Sequence, residues 1–411
     1  MALTPSEADA LLAAVIMDPV ARQDPPATFR RFHADSPIWR SEYGMTVAAR
    51  YRDCLEVLRG PKWGRAEADM EMPIRFGGER DRKVNVTSML LMNPPDHTRI
   101  RGLVARAFTP KMVERLKPEI EAIVEPLLDD LAQTDSSVDV MTALAVPFPV
   151  AVISALLGVP GDKGKDPAFV QQIRDLTTFI DSGASAADLE RGERASVEVA
   201  LYFNELVEYK RSHPDDAMLS ALIEVEEAGD RLRHEELIIN SILMYAAGFE
   251  TTSNLIGNGL WAFLRHPDQL QAVREDRSLL PSAIWEILRY DSPVQINARF
   301  ALEPVELNGE LMPRGHNVMV LQGTGNHDPL AYDDPDRFDV RRFTREGVPQ
   351  PLSFGWGAHH CLGAHLARAE GEIVFDKLLD RFQTWELAGP PPVYRSHATL
   401  RGVESLMMRF S

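Results

Sequence analysis

"FGWGAHHCLG", residues 354–363, holds one of only two cysteines in a chain of 411 residues. Three glycines, two histidines and two aromatic residues crowd around Cys361. A metal ligand, a nucleophile and a plain buried thiol are all open readings at this point. A thiolate needs a lowered pKa, and a helix N-terminus supplies that. The apolar-periodic run "LGAHLARAEGEIVFDKLLDRF" starts directly after Cys361, which predicts a helix over Leu362–Arg381 with the sulfur at its start. Gly355 and Gly357 allow a tight turn before the cysteine. Gly363 leaves room for close approach of backbone or a flat ligand, and Phe354 can wall the sulfur from water.

Composition narrows the choice. The balance of 44 basic and 61 acidic residues gives a net charge of −17, which argues against nucleic acid or an anionic membrane as the main partner. Two cysteines, Cys54 and Cys361, exclude a disulfide framework and any multi-cysteine zinc or iron–sulfur site. The opening "MALTPSEADALLAAV" lacks the basic, apolar pattern of a secretory signal. The uncharged stretch Val140–Pro160 is long enough to span a bilayer, but Pro147 and Pro149 would break a spanning helix. The expectation there is a short extended piece followed by a buried core helix, in a cytoplasmic protein without a membrane anchor.

Helical periodicity dominates the rest. It predicts helices over Pro95–Phe108, Lys111–Leu131, Phe169–Asp181, Leu189–Arg211, Glu235–Leu264 and Pro281–Tyr290. Strands are expected around Pro37–Arg40 and Thr46–Ala49, and again from Asn297 to Leu321. In the latter, Asn308-Gly309 within "VELNGELM" signals a two-residue hairpin. No repeat or clean linker divides the chain. The fold class read here is mainly α with minor β-sheets, as one domain over 1–411.

Three further stretches carry candidate chemistry. The longest helix, about 45 Å at about 1.5 Å per residue, has "AAGFETTS" at its centre. Met244, Ala247, Gly248, Thr251 and Leu255 share one face. A glycine notch with one hydroxyl can accept a small ligand; taken alone, the stretch more readily reads as helix packing with a threonine bonded back to its own helix. Glu250 points about 100° away and so could feed protons to Thr251 through water rather than sit in the pocket. In "WEILRYDSP", Glu286 and Arg289 stand three apart, as a surface pair or as a buried pair needing a further partner such as Arg337 of "DPDRFD". In "NPPDHTRIRGLVARAFTP", His97 and Arg101 lie four apart, as solvated charge or as an anion site. A lone thiolate with a hydrophobic shell suits a haem iron.

Taken together these residues resemble the cytochrome P450 family. "FGWGAHHCLG" is similar to its haem-binding loop, "AGFETT" to its oxygen-activation segment, "EILR" to its Glu-x-x-Arg, and "DPDRF" to the motif that completes that triad. "PPDHTRIR", "AFTP" and the closing "GVESLMMRF" fit in order, across roughly residues 25 to 410. The resemblance implies the cytochrome P450 fold and haem b, with Cys361 as proximal thiolate ligand. It implies His97, Arg101, Arg299 and His359 on the haem propionates, and Ala247, Gly248, Phe354, Gly355 and Gly363 around the haem. Glu286, Arg289 and Arg337 would form a structural triad. Thr251 and Glu250 would supply protons for dioxygen activation. Glu250 replaces the commoner Asp, which keeps the acid and adds one methylene.

The resemblance further implies a monooxygenase acting on a lipophilic small molecule (a terpenoid, steroid, fatty acid or secondary metabolite). Dioxygen and electrons from NAD(P)H would be used, passed through ferredoxin reductase and ferredoxin. Alternatives are a peroxide-driven peroxygenase or isomerase, and a non-catalytic haem-based ligand binder. Ferredoxin would dock on the cysteine side, where Arg106, Lys111, His360 and His365 supply positive charge. The substrate pocket would be lined by the loop around Met70–Leu91, by Thr177–Ile180, by Met244, Ala247 and Gly248, by Val294–Ala298 and by the tip His397–Leu400. Asn297 is the polar side chain there, to orient a substrate or to cap a strand.

Overall fold

The structure is a computed structural model that describes residues 3–18, 20–72, 88–134, 136–227 and 232–411, with the side chains of residues 106, 107 and 110 also outside the description. Most of the predicted helices are present with small shifts of boundary. Pro110–Ala132, Ala186–Ser212, Leu280–Tyr290 and Ala364–Arg381 match the periodic runs. The expected Pro95–Phe108 helix is α over Asp96–Val104 and tightens to a 3-10 turn over Ala105–Phe108. Likewise, Pro167–Asp175 is α and Leu176–Ile180 is 3-10. The Val140–Pro160 stretch holds no spanning helix. A two-residue strand, Val138–Asp139, leads into a π-helical turn and then the buried helix Pro147–Leu157, which Pro147 starts at its first position. No helix among the described residues is long and apolar enough to cross a membrane.

Five strands form the main sheet, in the order Ile38–Arg40, Thr46–Ala48, Asn317–Leu321, Ile296–Ala301, Trp63–Gly64. Thr46–Ala48 pairs parallel with Asn317–Leu321; the other pairs are antiparallel. Asn308 and Gly309 both take positive φ, 51° and 80°, so Val305–Leu307 and Glu310–Met312 close as the predicted tight hairpin.

The long helix, His234–Arg265, organises the interior. Its first half, with Leu237, Ile242, Met244, Tyr245 and Phe249, packs into one hydrophobic cluster with the helices around residues 96–104, 147–157 and 186–212. Its second half, with Leu255, Ile256, Leu260 and Phe263, packs into another with the helices at 110–132, 280–290 and 364–381. The changeover falls between Phe249 and Leu255. The polar centre of "AAGFETTS" therefore sits where two cores meet, which frees it from core packing.

Candidate active site

The cysteine loop is held by its own backbone and by the layer behind it. Gly355 and Gly357 have φ of 63° and 70°, a region that L side chains rarely adopt. A Cβ on Gly357 would also lie 2.8 Å from Arg59 Cα and from Leu58 O, neither of which can yield. The Cys361 N–H donates to Phe354 O at 2.8 Å and the His360 N–H to Gly357 O at 3.1 Å. The Phe354 ring packs edge-on against Trp285 at 5.7 Å. The helix after the loop begins at Ala364 rather than Leu362, with Gly363 as its cap. Cys361 is surrounded by protein, yet its own surface is uncovered, as on the wall of a deep cleft. Burial pushes its thiol pKa up, and the Gly363 N–H and Arg101 pull the other way. A Cβ on Gly363 would meet nothing within 4 Å, so space is open beside the sulfur.

The long helix contributes less to this cleft than its periodicity predicts. Ala247 is exposed and Thr251 half-buried, within a helix whose neighbouring turns are buried. Thr251 Oγ1 donates to Ala247 O at 2.8 Å, and Thr252 Oγ1 to Gly248 O at 3.0 Å. Two expected members of the open face belong elsewhere. A Cβ on Gly248 would stand 2.9 Å from Ile153 Cδ1, so this glycine serves close helix–helix approach. Met244, 5% exposed, is a core residue of the first cluster. Leu362, next to the cysteine, packs on that same cluster, which brings the loop and the helix together.

Glu250 is buried and fully engaged. Arg174 Nε donates to it at 3.0 Å and Arg395 Nη1 lies 2.5 Å away. Burial alone would raise its pKa; the two arginines outweigh that and hold it below the usual carboxylate value. Neither arginine was marked by a sequence motif, and both are far from Glu250 in the chain.

A second wall is a cluster of donors without an anion. His97, Arg101, Arg299 and His359 come together as expected, and Arg65 joins them. The His97 and His359 rings are 4.2 Å apart. Arg101 Nη2 donates to His360 O at 2.6 Å. Burial, then the charges of Arg65, Arg299, His97 and Arg101, depress His359 to about 2. Among the described residues no carboxylate pairs with Arg65, Arg101 or Arg299. Arg65 Nε, His97 Nδ1 and Arg299 Nη2 are buried with no acceptor. Orphaned buried donors of this kind are rare in native proteins and mark a place where a bound group belongs. Two carboxylates at this edge, with an uncovered thiol nearby and an exposed Ala247 inside a buried helix, are what a flat dicarboxylate macrocycle such as haem would satisfy. The residues present fit it.

This cluster makes the stability of the chain alone sensitive to acid. Imidazoles held below the unfolded value of about 6.5 leave protons to the unfolded state. Stability is then full above that value and is lost as pH falls towards the folded pKa. His359 is expected to cost about 2 kcal/mol between pH 6.5 and 5, at about 1.36 kcal/mol per pH unit, with His97 and His397 adding in the same direction. Urea midpoints of the haem-free chain at pH 7.5 and 5.0 measure this; equal midpoints would refute it.

Asn297 is not a free substrate contact. Its Oδ1 accepts from Arg299 Nη1 at 2.6 Å and from Arg65 Nη1 at 3.3 Å. The carbonyl of Ala298 accepts from the same two atoms, at 2.9 and 3.2 Å. Val294 is half-buried and bridges to Leu400. The two remaining covering segments are bonded to each other. His397 Nε2 lies 3.2 Å from Thr177 O, Thr399 Oγ1 donates to Ile180 O at 2.6 Å, and the Ala398 N–H donates to Asp181 Oδ1 at 2.9 Å. Of the Met70–Leu91 loop, residues 73–87 lie outside the described residues.

The triad behind the cysteine loop is Glu286, Arg289 and Arg342, not Arg337. Arg289 meets Glu286 through two bonds of 2.8 Å, both side chains fully buried. Arg342 Nε reaches both Glu286 oxygens, at 3.2 and 3.1 Å. Arg337 turns its side chain to solvent and contributes its carbonyl, which accepts from both arginines. A second arginine five residues on, in "RFDVRRF", was the available sequence signal. On the outer side, Lys111 and His365 are exposed, while the Arg106 side chain lies outside the described residues. His360 is half-buried against Trp356 and Phe354, and burial, Arg101 and His365 lower its pKa, so it is neutral at pH 7 rather than a source of positive charge. Trp356 packs on the sheet-side cluster around Tyr51 and Leu352.

Comparison with known proteins identifies the family. The family model described as Cytochrome P450 matches residues 67–406. The 6-deoxyerythronolide B hydroxylase of Saccharopolyspora erythraea is 38% identical over 395 residues, covering 94% of each chain. The vitamin D(3) 25-hydroxylase of Pseudonocardia autotrophica is 39% identical over 378 residues, covering 90% of this chain and 88% of the hydroxylase. The solved structure of Mycobacterium smegmatis CYP164A2 in a ligand-free state matches with a TM-score of 0.87 at 36% identity, over 97% of this chain and 99% of that one. The chain belongs to the cytochrome P450 family and has its fold, mainly α with small β-sheets. It is an oxidoreductase of the haem-thiolate monooxygenase class.

Proposed function

We propose that this protein carries haem b on Cys361 and oxidises large lipophilic molecules, with electrons passed from NAD(P)H by ferredoxin reductase and ferredoxin. The observation that carries the reading is the anion-free cluster of Arg65, His97, Arg101, Arg299 and His359 beside an uncovered thiol. The relatives' names, a 6-deoxyerythronolide B hydroxylase and a vitamin D(3) 25-hydroxylase, support a bulky, mostly apolar substrate. When bound, haem activates dioxygen for insertion of one oxygen atom into a C–H bond.

In this reading the chain's own residues do the rest. The cluster of arginines and imidazole donors holds the two propionates, and the segments joined at His397 and Thr399 keep bulk water out. Thr251 Oγ1, whose own hydrogen is given to Ala247 O, accepts a hydrogen bond from water at the open face of the helix and so positions a proton-carrying water there. Glu250 sits one residue away, ionised between Arg174 and Arg395, and serves as the exchange point with solvent through water. Thr251→Ala is expected to keep NAD(P)H consumption but divert it to hydrogen peroxide. Glu250→Gln should slow product formation by about 10²-fold, the scale of a lost acid–base group in a proton relay. The ratio of product to NAD(P)H consumed reads both; unchanged coupling in Thr251→Ala would sink the relay. Product formed equally fast with peroxide alone would favour a peroxygenase. For the partner, exposed Lys111 and His365 predict a ferredoxin reduction rate that falls with ionic strength.

A further inference from the structure

Arg65 is the member of the cation cluster that no motif announces. It follows the strand Trp63–Gly64, which pairs antiparallel with Phe300 and Ala301. That pairing carries Arg65 alongside Asn297–Arg299. The Nη1 atoms of Arg65 and Arg299 donate to the same two oxygens, Asn297 Oδ1 and Ala298 O. Two guanidiniums therefore lie side by side in a buried place. Both shared acceptors are neutral: they fix orientation and cancel no charge. Burial and the neighbouring Arg299 push Arg65 well below the usual arginine range. Each guanidinium keeps a buried nitrogen without an acceptor, Arg65 Nε and Arg299 Nη2. Two like charges held together with a spare donor each call for a single anion that takes both.

We propose that Arg65 and Arg299, braced by Asn297 Oδ1, form a two-guanidinium clamp for one haem carboxylate. Arg65 is then a cofactor anchor, and Asn297 a positioning residue that acts through the two arginines. This rests on the haem reading above. Removing the Arg65 charge favours the ferric form, because a positive charge near the iron stabilises the added electron.

The test uses the haem-loaded protein. Haem transfer to apomyoglobin gives the off-rate, and spectroelectrochemistry gives the midpoint potential. Arg65→Gln is expected to release haem about tenfold faster, the scale of a charge-assisted hydrogen bond. Reduction should become about tenfold less favourable, equivalent to about 59 mV for one electron. Arg65→Lys should keep most of the potential and lose part of the retention. The deciding comparison is the off-rate of haem dimethyl ester relative to haem, taken within each variant so that general instability cancels. That ratio should shrink about tenfold in Arg65→Gln and also shrink in Asn297→Leu. A ratio equal to the parent's in Arg65→Gln would overturn the clamp. So would a selective loss of affinity for carboxylic-acid substrates with haem retention intact, since Arg65 would then serve the substrate. Failure of the parent protein to take up haem would instead remove the haem reading itself.

Discussion

Cys361→Ser is expected to give a folded chain that has lost its turnover. The substitution removes little that holds the fold. The residue 361 N–H still donates to Phe354 O, and the sulfur surface is uncovered. The haem-free chain should therefore melt within about 0.5 kcal/mol of the parent. The loss falls on the proposed iron bond. A thiolate is a soft, electron-rich ligand that favours O–O cleavage, and a serine oxygen is neither. Partners one shell out from a metal ligand are worth about 10–100-fold; the ligand itself exceeds that, so turnover should fall by more than about 100-fold. The carbon monoxide difference spectrum of the reduced protein checks the ligation directly. A thiolate-type spectrum from Cys361→Ser would remove Cys361 from the site.

Glu286→Gln should be the most destabilising single change. The Glu286 carboxylate accepts from Arg289 at two atoms, from Arg342, and from the Asp339 N–H at 2.8 Å. All three side chains are buried, so glutamine leaves two guanidinium charges without a counter-ion. Breaking a buried pair in this way costs about 3–5 kcal/mol, against about 5–15 kcal/mol for a whole domain. The damage should reach the cysteine loop. Arg289 Nη1 donates to Asn326 O at 2.9 Å, and the Asn326 side chain receives the Leu352 N–H at 2.7 Å and donates to Ser353 Oγ at 3.0 Å. Those two residues lead directly into Phe354 and the loop. Urea unfolding of Glu286→Gln should show the loss together with reduced haem retention. Arg337→Gln, by contrast, changes an exposed side chain and should stay within about 0.5 kcal/mol. Equal effects from the two would return Arg337 to the triad.

These contrasts separate what local sequence carries from what folding adds. Cys361 with its glycines, the Glu286–Arg289 pair, the Thr251 back-bond and the Asn308-Gly309 turn were all legible. Each depends on spacing within one turn or one helix face, where geometry is fixed by φ/ψ preference and the helical repeat. The long helix and its polar centre were legible for the same reason. Which of the two readings holds for Gly248 was not: its Cβ direction is filled by Ile153, from a helix almost a hundred residues earlier, which decides for packing. Arg342 replaces Arg337 because the loop after Pro335 turns one side chain to solvent and another onto Glu286. Arg174 and Arg395 reach Glu250 from either side of it in the sequence, Arg174 from 76 residues earlier. The role of Asn297, substrate contact or strand cap, stayed open in the sequence: Arg299 stands two residues on along the same strand, but Arg65 meets Asn297 only through strand pairing across 232 residues. By itself the sequence determined the class of protein and the residues whose chemistry is local. Tertiary structure decided which charges face one another, because electrostatic partners are chosen by distance in space, and no period in the chain records that distance.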